Sequence, residues 1–293
     1  MSRIALVTCR PGPDTIADPD LPGLLAALRA AGADAEAVVW DDPDADWGAY
    51  RLAVLRSTWD YSWRAEEFLA WTARAGALTR LANPPEVIRW NADKRYLGEL
   101  AAAGVPTVST TYLAPGDPVT LPTTAGEFVV KPTSGAGARL AARYTPDEHT
   151  TAVRQVERMH AAGFTAMVQP YVRAIDTTGE RALQFFGGRL IHAIRKGPVL
   201  APGTPYDARK APHPGVVPWE PTAAERAVAE QALAAVPGAA PLLYARVDLV
   251  DGDDGRPHLM ELELVEPHLF LDLHPESVRK VVAAVLRAAA EGD

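Results

Sequence analysis

Residues 244–270 combine charged side chains with a spacing that could bind a metal ion. Two runs that alternate apolar and polar residues flank a turn at residues 251–255, a pattern typical of a β-hairpin. If Asp251 faces His258 across the hairpin, every second side chain of each strand shares one face. That face then carries a guanidinium and three carboxylates: Arg246, Asp248, Glu261 and Glu263. Such a set suits Mg²⁺, which takes few protein carboxylates and completes its shell with phosphate oxygens and water.

The other face of the predicted hairpin is apolar, and we expect it to be buried. It carries Val247, Leu249, Met260 and Leu262. The alternative is an edge hairpin with a solvated polar face, on which Arg246 pairs with an acid across the strands. Because amphipathic hairpins are common, this segment alone does not exclude that alternative.

A loop of small residues follows the strand predicted at residues 127–132. Lys131 lies near the end of this strand, and residues 133–138 (TSGAGA) supply closely spaced backbone N–H groups that can wrap phosphates. The loop matches neither the P-loop nor the dinucleotide-binding pattern, so alone it does not identify a ligand. The chain has only five lysines, and a simple turn needs no lysine before it. The position of Lys131 therefore favours a phosphate site.

Polar residues also follow two strands predicted near the N-terminus, at residues 8–10 and 56–61 (RSTWDY). In open α/β domains, ligands bind beyond the carboxyl ends of strands, and these groups suit an amino-acid-sized substrate. The predicted substrate residues are Arg56, Ser57, Thr58, Asp60 and Cys9. The alternative is a strand-to-helix loop in which Asp60 caps the helix and Trp59 covers the core. We expect Cys9 to be a buried or pocket-lining thiol, because no partner His lies in a recognisable motif.

The hydrophobic pattern predicts the elements that position these groups. Residues 3–75 show a β-α-β-β-α order, which indicates an open α/β domain. A helix capped by Asn91 comes next and carries Lys94 in its first turn. The later predicted elements are strands at 107–113, 127–132, 166–168, 181–186 and 190–194, and helices at 146–162, 222–235 and after Pro275. Residues 197–221 are rich in Pro and Gly and have the length of a lid over a site.

Composition excludes several functional classes. A formal net charge of −8 and the lack of any Lys/Arg cluster argue against nucleic-acid and membrane-surface binding. Neither a signal peptide nor an apolar stretch of membrane-spanning length is present, so we expect a cytoplasmic protein. With Cys9 as the single cysteine, no internal disulfide can form, and no Cys/His spacing resembles a zinc site.

Taken in order, these motifs resemble the ATP-grasp superfamily of ATP-dependent ligases over nearly the whole chain. The resemblance implies ATP and Mg²⁺ as cofactors and an α/β architecture. In that architecture an N-terminal open α/β domain, residues 1–88, precedes a two-lobed α+β nucleotide-binding region. The two lobes would be residues 89–172, with the phosphate loop, and residues 173–293, with the metal site. Relatives are often dimers, so a homodimer is a further expectation.

The resemblance also assigns nucleotide-binding roles. Lys94 and Lys131 would contact the phosphates, and Ser134, Gly135 and Gly137 would belong to the flexible phosphate loop. The main chain of four hinge residues would bind adenine: Gln169, Pro170, Tyr171 and Val172. Glu180, with Asp176 as the alternative, would bind the ribose. Arg195 would act in catalysis by contacting phosphate oxygens, and Lys196 is counted among the nucleotide-binding residues.

The hairpin carries the most specific part of the resemblance. D-Alanine ligase-like members place an arginine two residues before the first metal-binding aspartate, as Arg246 precedes Asp248 here. Carried over, Asp248, Glu261 and Glu263 would hold the magnesium ions, and Arg246 would face the developing oxyanion. Many relatives have asparagine where this chain has Glu263. The additional charge should strengthen metal binding without abolishing the site.

The implied reaction is the ATP-dependent activation of a small amino-acid carboxylate as an acylphosphate, which an amine-type nucleophile then attacks. Four segments are similar to a glutathione-synthetase-like branch that includes the cyclo-ligase of D-cycloserine biosynthesis: RSTWDY, GERALQFFGG, HAIRKGP and ELELVEPHLFL. That cyclo-ligase closes O-ureido-D-serine into a ring. The alternatives are an intermolecular amino-acid or dipeptide ligase and, from another class, a non-catalytic nucleotide-binding regulatory protein.

Overall fold

The computed structural model describes residues 3–12, 17–123, 126–135, 137–208, 213–238 and 242–291. Within these ranges the chain forms three β-sheets and seven α-helices. None of these helices has the length and apolar character needed to cross a bilayer.

The first sheet is parallel, with strand order β2-β1-β3-β4. Its strands are β1 (Arg3–Thr8), β2 (Asp34–Val39), β3 (Leu52–Ser57) and β4 (Arg80–Ala82). Helices α1 (Leu21–Ala30) and α2 (Ala65–Gly76) connect them. The apolar runs of β1 and β3 are almost completely buried, because both faces of a parallel sheet are covered. The carboxyl ends of β1 and β3 lie side by side, with Thr8 opposite Ser57.

The second sheet is antiparallel, with strand order β5-β8-β6-β7. Its strands are β5 (Thr111–Leu113), β6 (Phe128–Pro132), β7 (Ala142–Tyr144) and β8 (Ala166–Pro170). Helix α5 (His149–Ala161) covers one face through Ala152, Val156 and Met159. The strand that was predicted at 107–113 is shorter in the structure, where only its last three residues form β5.

Two short helices replace the one helix predicted before this sheet, α3 (Pro85–Asn91) and α4 (Tyr96–Ala102). Asn91 is the last residue of α3, and its prediction as a helix cap is wrong. Its buried side-chain amide instead donates to the carbonyl of Leu262 and accepts from the amide of Leu264, at 2.8 Å each. Lys94 lies between the two helices.

The third sheet is antiparallel, with strand order β11-β10-β9-β12-β13. Its strands are β9 (Glu180–Phe186), β10 (Arg189–Lys196), β11 (Val217–Trp219), β12 (Tyr244–Asp251) and β13 (Pro257–Glu263). Helix α6 (Ala223–Ala234) begins at Thr222, which forms a capping box with Glu225. Helix α7 (Ser277–Ala290) follows the sheet and packs against the first sheet's core.

One face of the third sheet is apolar and packs on α6, α3 and α4. It contributes Leu183, Phe185, Val247, Leu249, Leu259 and Leu262 to one buried cluster. Because side chains alternate along a strand, the neighbouring positions point to the opposite face. On β12 and β13 those positions are Arg246, Asp248, Glu261 and Glu263.

Candidate active site

The hairpin formed by β12 and β13 has the predicted register at its charged positions. Arg246 lies opposite Glu263, and Asp248 lies opposite Glu261. Beyond Asp248 the register shifts at a β-bulge, so that His258 lies opposite Val250 and the predicted pairing of His258 with Asp251 is wrong. Met260 was predicted to point to the buried face. Because of the bulge, Leu259 takes that position instead, and Leu259 is completely buried.

The charged side chains of this hairpin form a buried network. The guanidinium of Arg246 donates to both carboxylate oxygens of Asp248, at 2.8 and 2.9 Å, and to Glu263. Lys196 of β10 donates to Asp248 at 2.7 Å and lies 2.6 Å from Glu180 of β9. Asp248 is 1% exposed and Arg246 is 6% exposed, so the alternative of a solvated edge hairpin is wrong.

Burial and the neighbouring charges shift the pKa values of these carboxyls in opposite directions. Burial disfavours ionisation of Asp248, but Arg246 and Lys196 outweigh it and hold the pKa of Asp248 far below its usual range. For Glu263, burial prevails and raises the pKa to about 7. Burial likewise raises the pKa of Glu180 to about 7. The network therefore holds more carboxyl groups than its own cations neutralise, which favours binding of further cations.

Lys94 joins the loop at residues 133–137 to the hairpin. Its ammonium donates to the carbonyl of Gly135 at 2.6 Å and lies 3.1 Å from the carboxylate of Glu261. Its own amide donates to the carbonyl of Thr133 at 2.8 Å. The structure thus brings the predicted phosphate loop and the predicted metal ligands to one place.

Two polar groups beside this junction have no partner among the described residues. The hydroxyl of Ser134 is buried without a hydrogen bond. The ammonium of Lys131 is not ion-paired, and burial lowers its pKa. Because buried polar groups are normally satisfied, these two atoms fit a ligand with several anionic oxygens, such as a polyphosphate. Gly137, with φ of +61°, provides the left-handed backbone that lets the loop turn here.

The carboxylates offer suitable ligands for Mg²⁺, although their present partners are protein cations. Among the described residues, no group of three acidic, His or Cys side chains converges on one point. Glu261 faces Lys94, while Asp248 and Glu263 share Arg246. Three oxygen-donor side chains on one sheet face fit a hard cation that also binds phosphate, provided that Glu261 turns away from Lys94.

The predicted adenine hinge lies at the end of β8. Gln169 is buried and donates from its side-chain amide to the hydroxyl of Thr110 at 2.9 Å. The amide of Tyr171 donates to the carbonyl of Glu127, and its hydroxyl donates to Asp176. Pro170 is exposed, and Val172 packs in a small apolar cluster with Val108 and Val250. The adenine role of residues 169–172 and the ribose role of Glu180 or Asp176 stay predictions.

Arg195 is the one predicted site residue of β10 that the structure does not bring to this network. Arg195 lies opposite Arg181, and Arg181 donates to Glu225 of α6 at 2.7 Å. This places Arg195 on the α6 side of the sheet. Lys196, the next residue, points to the other side, as strand alternation requires. Lys196 therefore supplies, beside the carboxylates, the positive charge that the sequence analysis assigned to Arg195.

The predicted substrate residues at the end of β3 are buried and largely engaged within the protein. Arg56 donates to the carbonyl of Pro267 at 3.1 Å and lies 3.4 Å from Asp18, which leaves its Nε atom without a partner. The hydroxyl of Ser57 bonds that of Thr8 at 2.8 Å. The hydroxyl of Thr58 is buried and has no partner. Arg56 Nε and the hydroxyl of Thr58 are thus two atoms that could still contact a ligand.

Asp60 and Cys9 serve the core of the first sheet. Asp60 accepts from the indole N–H of Trp40 at 2.8 Å and from Arg64 at 3.1 Å, so it does not cap the following helix. Cys9 lies in an apolar cluster, and burial raises the pKa of its thiol. A high thiol pKa disfavours the thiolate, so Cys9 is a poor nucleophile. Trp59 also forms a hydrogen bond outside the first sheet, because its indole N–H donates to the carbonyl of Glu266 at 3.2 Å.

Three further buried polar residues face the site. Sequence reasoning missed Gln184 and Glu266, and it included Tyr61 only as part of the RSTWDY segment. Gln184 lies beside Arg246 in the register, and its side-chain oxygen is buried without a partner. Tyr61 and Glu266 line a small cavity together with Lys94 and Glu261. Burial raises the pKa of Glu266 to about 8. Gln184 could have been found from the alternation of side chains along β9. It lies four residues after Glu180, so the two side chains point to the same face of the sheet.

Comparisons with known proteins agree on the relatives of this chain. The family model of the N-terminal domain of D-cycloserine synthetase DcsG matches residues 4–83. The chain is 39% identical to the cycloserine biosynthesis protein DcsG of Streptomyces lavendulae, over 97% of this chain and 98% of that protein. The crystal structure of D-cycloserine synthetase DcsG superimposes with a TM-score of 0.87 at 36% identity, covering 98% of this chain and 100% of that one.

More distant structures share the fold. D-Alanine–D-alanine ligase from Bacillus anthracis gives a TM-score of 0.69 at 16% identity, with both chains fully covered. The ATP-grasp ligase PsnB, complexed with a precursor variant, Mg and ADP, gives 0.61 at 16% identity, covering 98% of this chain and 99% of that one. The expected ATP-grasp fold, an N-terminal open α/β region followed by a two-lobed α+β region, is confirmed.

Proposed function

The chain belongs to the D-cycloserine synthetase family of ATP-grasp ligases, and on that premise we propose that it cyclises a small amino acid in an ATP- and Mg²⁺-dependent reaction. It is an ADP-forming carbon–nitrogen ligase. The proposed substrate is O-ureido-D-serine, and the proposed product is D-cycloserine, formed intramolecularly with loss of the carbamoyl group.

One observation carries this proposal, namely the double contact of Lys94. A single ammonium bonds the carbonyl of Gly135 in the phosphate loop and the carboxylate of Glu261 in the hairpin. Nucleotide phosphates on the loop would therefore lie next to the hairpin carboxylates. Phosphoryl transfer requires this arrangement, because it depends on positioning and charge neutralisation more than on covalent help from the protein.

In the first step the chain's own cations hold and neutralise the nucleotide phosphates. Lys131 has no ion-pair partner among the described residues, so its charge is available for phosphate oxygens. Lys94 pairs with Glu261 and Lys196 pairs with Asp248, so both ammonium groups lie beside the proposed metal ligands. Mg²⁺ held by Asp248, Glu261 and Glu263 would supply further charge neutralisation at the phosphate oxygens. The substrate carboxylate can then attack the γ-phosphorus and become an acylphosphate.

In the second step the nucleophilic nitrogen of the same molecule attacks the activated carbonyl carbon. A C–N bond forms as the nitrogen gives up its proton, the negative charge develops on the carbonyl oxygen, and phosphate leaves when the carbonyl reforms. Water then cleaves the bond between the ring nitrogen and the carbamoyl group, which leaves as carbon dioxide and ammonia. Arg246 is suited to stabilise that oxyanion because Asp248 and Glu263 hold its guanidinium in a fixed position in a buried site. A preorganised donor of this kind costs little reorganisation as the charge develops.

We further propose a division of the chain that matches these roles. Residues 1–88 would bind the amino acid, residues 89–172 would carry the phosphate loop and hinge, and residues 173–293 would carry the metal ligands. The test is an assay of the pure protein with ATP, Mg²⁺ and O-ureido-D-serine. It should release phosphate and form a product with the mass of D-cycloserine, and an absence of both with this substrate would contradict the proposal.

A further inference from the structure

A small cavity lies where four parts of the chain meet. Its lining comes from the 3-10 helix at residues 59–63, from residues 91–96, from Gly135 in the phosphate loop, and from residues 261–266. Its volume is about 20 Å³. A space of this size holds one group as large as a water molecule.

Most polar groups around the cavity are already satisfied. Lys94 is bound by Glu261 and Gly135. The side chain of Asn91 bonds the main chain of residues 262 and 264, and the hydroxyl of Tyr96 bonds the main chain of Leu262. Asn91 and Tyr96 thus hold the walls of the cavity in place and have little capacity left for a ligand.

Two lining groups have no partner among the described residues, the hydroxyl of Tyr61 and the carboxylate of Glu266. Tyr61 is 5% exposed and Glu266 is 7% exposed. Burial raises the pKa of Glu266 to about 8, because a buried carboxylate without a partner costs free energy, and a cation beside it would favour the ionised form. A partner that fits this cavity is small, positively charged and able to donate hydrogen bonds.

A primary ammonium group has these properties. We propose that Tyr61 and Glu266 form a subsite for the α-ammonium of the amino acid whose carboxylate this enzyme activates. The inference rests on the proposed function, because it takes the substrate to be an amino acid. The subsite borders Glu261 and Glu263. When it holds the ammonium of the substrate, the carboxylate of the same substrate molecule can reach the phosphate end of the site.

The fold holds the two subsite residues together although they are far apart in sequence. The indole N–H of Trp59, two residues before Tyr61, donates to the main-chain carbonyl of Glu266 at 3.2 Å. Arg56 donates to the next carbonyl, that of Pro267, at 3.1 Å. The RSTWDY segment is thus bonded directly to the chain that follows β13. A preorganised subsite of this kind binds its ligand without first ordering a loop.

The test compares ligand pairs that differ only in the ammonium group. The first pair is O-ureido-D-serine and its analogue with hydrogen at the α-amino position; the second is D-serine and D-glycerate. Binding is measured by calorimetry with ADP and Mg²⁺ present, for the wild type and for Glu266→Gln, Tyr61→Phe and Glu157→Gln. Glu157 is exposed on α5 and is the matched control.

The wild type and Glu157→Gln should bind the ammonium member of a pair about 10- to 100-fold more tightly, as for a charge-assisted contact. Glu266→Gln should lose most of that preference while binding the deamino analogue as the wild type does, and Tyr61→Phe should lose a smaller part. A wild type without the preference, or a Glu266→Gln variant that keeps it, would overturn the subsite. Intact preference in a wild type that releases no phosphate would instead contradict the proposed function and leave the subsite standing.

Discussion

The ammonium of Lys94 and the carboxylate of Glu261 lie 3.1 Å apart, although 166 residues separate them in the chain. This ion pair connects the phosphate loop with the hairpin, and it places Glu261 at the point where nucleotide and metal would meet. Burial opposes ionisation of Glu261, but Lys94 and Lys131 outweigh it and lower its pKa. Glu261 is therefore charged at neutral pH, as a metal ligand must be.

Replacing Glu261 by Gln tests this role. The change keeps the size of the side chain and removes the charge that would bind Mg²⁺, so ATP-dependent phosphate release should fall by orders of magnitude. The variant should stay folded but melt at a lower temperature, because Lys94 loses its counter-charge and keeps only its bond to Gly135. Phosphate release is compared with that of Glu157→Gln on the exposed face of α5. Turnover at the wild-type rate at ordinary magnesium concentrations would show that Glu261 is not a ligand.

Lys131 should determine ATP affinity without stabilising the free protein. Lys131→Met keeps the apolar stem and removes an ammonium that has no described partner, so ATP binding should weaken by about 1–3 kcal/mol. The melting temperature of the free protein should not fall, because an unpaired buried charge is lost. Calorimetry and thermal unfolding measure the two effects. Lys280→Met is the control, because the ammonium of Lys280 on α7 donates to the carbonyl of Ile191 in β10. Unchanged ATP affinity in Lys131→Met would mean that Lys131 does not contact the phosphates.

Arg56 should contribute more to stability than its neighbour Trp59. Arg56→Ala leaves the carboxylate of Asp18 buried without its cation, at a cost of about 3–5 kcal/mol in the free energy of unfolding. Trp59→Phe removes a single hydrogen bond to Glu266 and should cost about 1 kcal/mol. Denaturant unfolding measures both values. The double variant Arg56→Ala/Asp18→Asn should recover part of the loss, and a double variant that is less stable than Arg56→Ala would contradict this explanation.

His192 should make the protein less stable in mild acid. Burial lowers its pKa to about 4, while in the unfolded chain it takes up a proton near pH 6.5. The unfolded state therefore binds more protons between these values, and stability falls as the pH drops from about 6.5 to about 4, by up to about 1.4 kcal/mol per unit. His192→Gln should flatten the pH dependence of the melting temperature over that window. A His192→Gln variant that keeps the wild-type pH dependence would rule the mechanism out.

The sequence predicted the hairpin network well, because the alternation of side chains determines which charges share a face. Arg246 with Glu263 and Asp248 with Glu261 are the pairs that alternation requires. The β-bulge next to Asp248 was not predictable, since Leu259 and Met260 are both apolar and either could fill the buried position. Bulges depend on local twist, which a pattern of polar and apolar residues does not record.

Arg195 was assigned to the site because the end of β10 was predicted too early. The predicted strand stopped at Ile194, so Arg195 and Lys196 both seemed free to reach a ligand. The strand continues to Lys196, and alternation then sends the two side chains to opposite faces. Tyr61 lies in the RSTWDY segment that was predicted to face the substrate, but Glu266 gave no local signal. They meet only because Trp59 and Arg56 bind the carbonyls that follow β13, a tertiary contact.

The most direct test of the central claim is a single-substrate assay of the pure protein. With ATP, Mg²⁺ and O-ureido-D-serine as the only amino acid, one phosphate should be released for each product molecule with the mass of D-cycloserine. Because carboxylate and nucleophile belong to one molecule, proximity is already provided, and the rate should not respond to added amino acids. Phosphate release that stays at background with O-ureido-D-serine and with each other single amino acid, and that rises only when two are supplied together, would contradict the cyclisation and favour an intermolecular ligase.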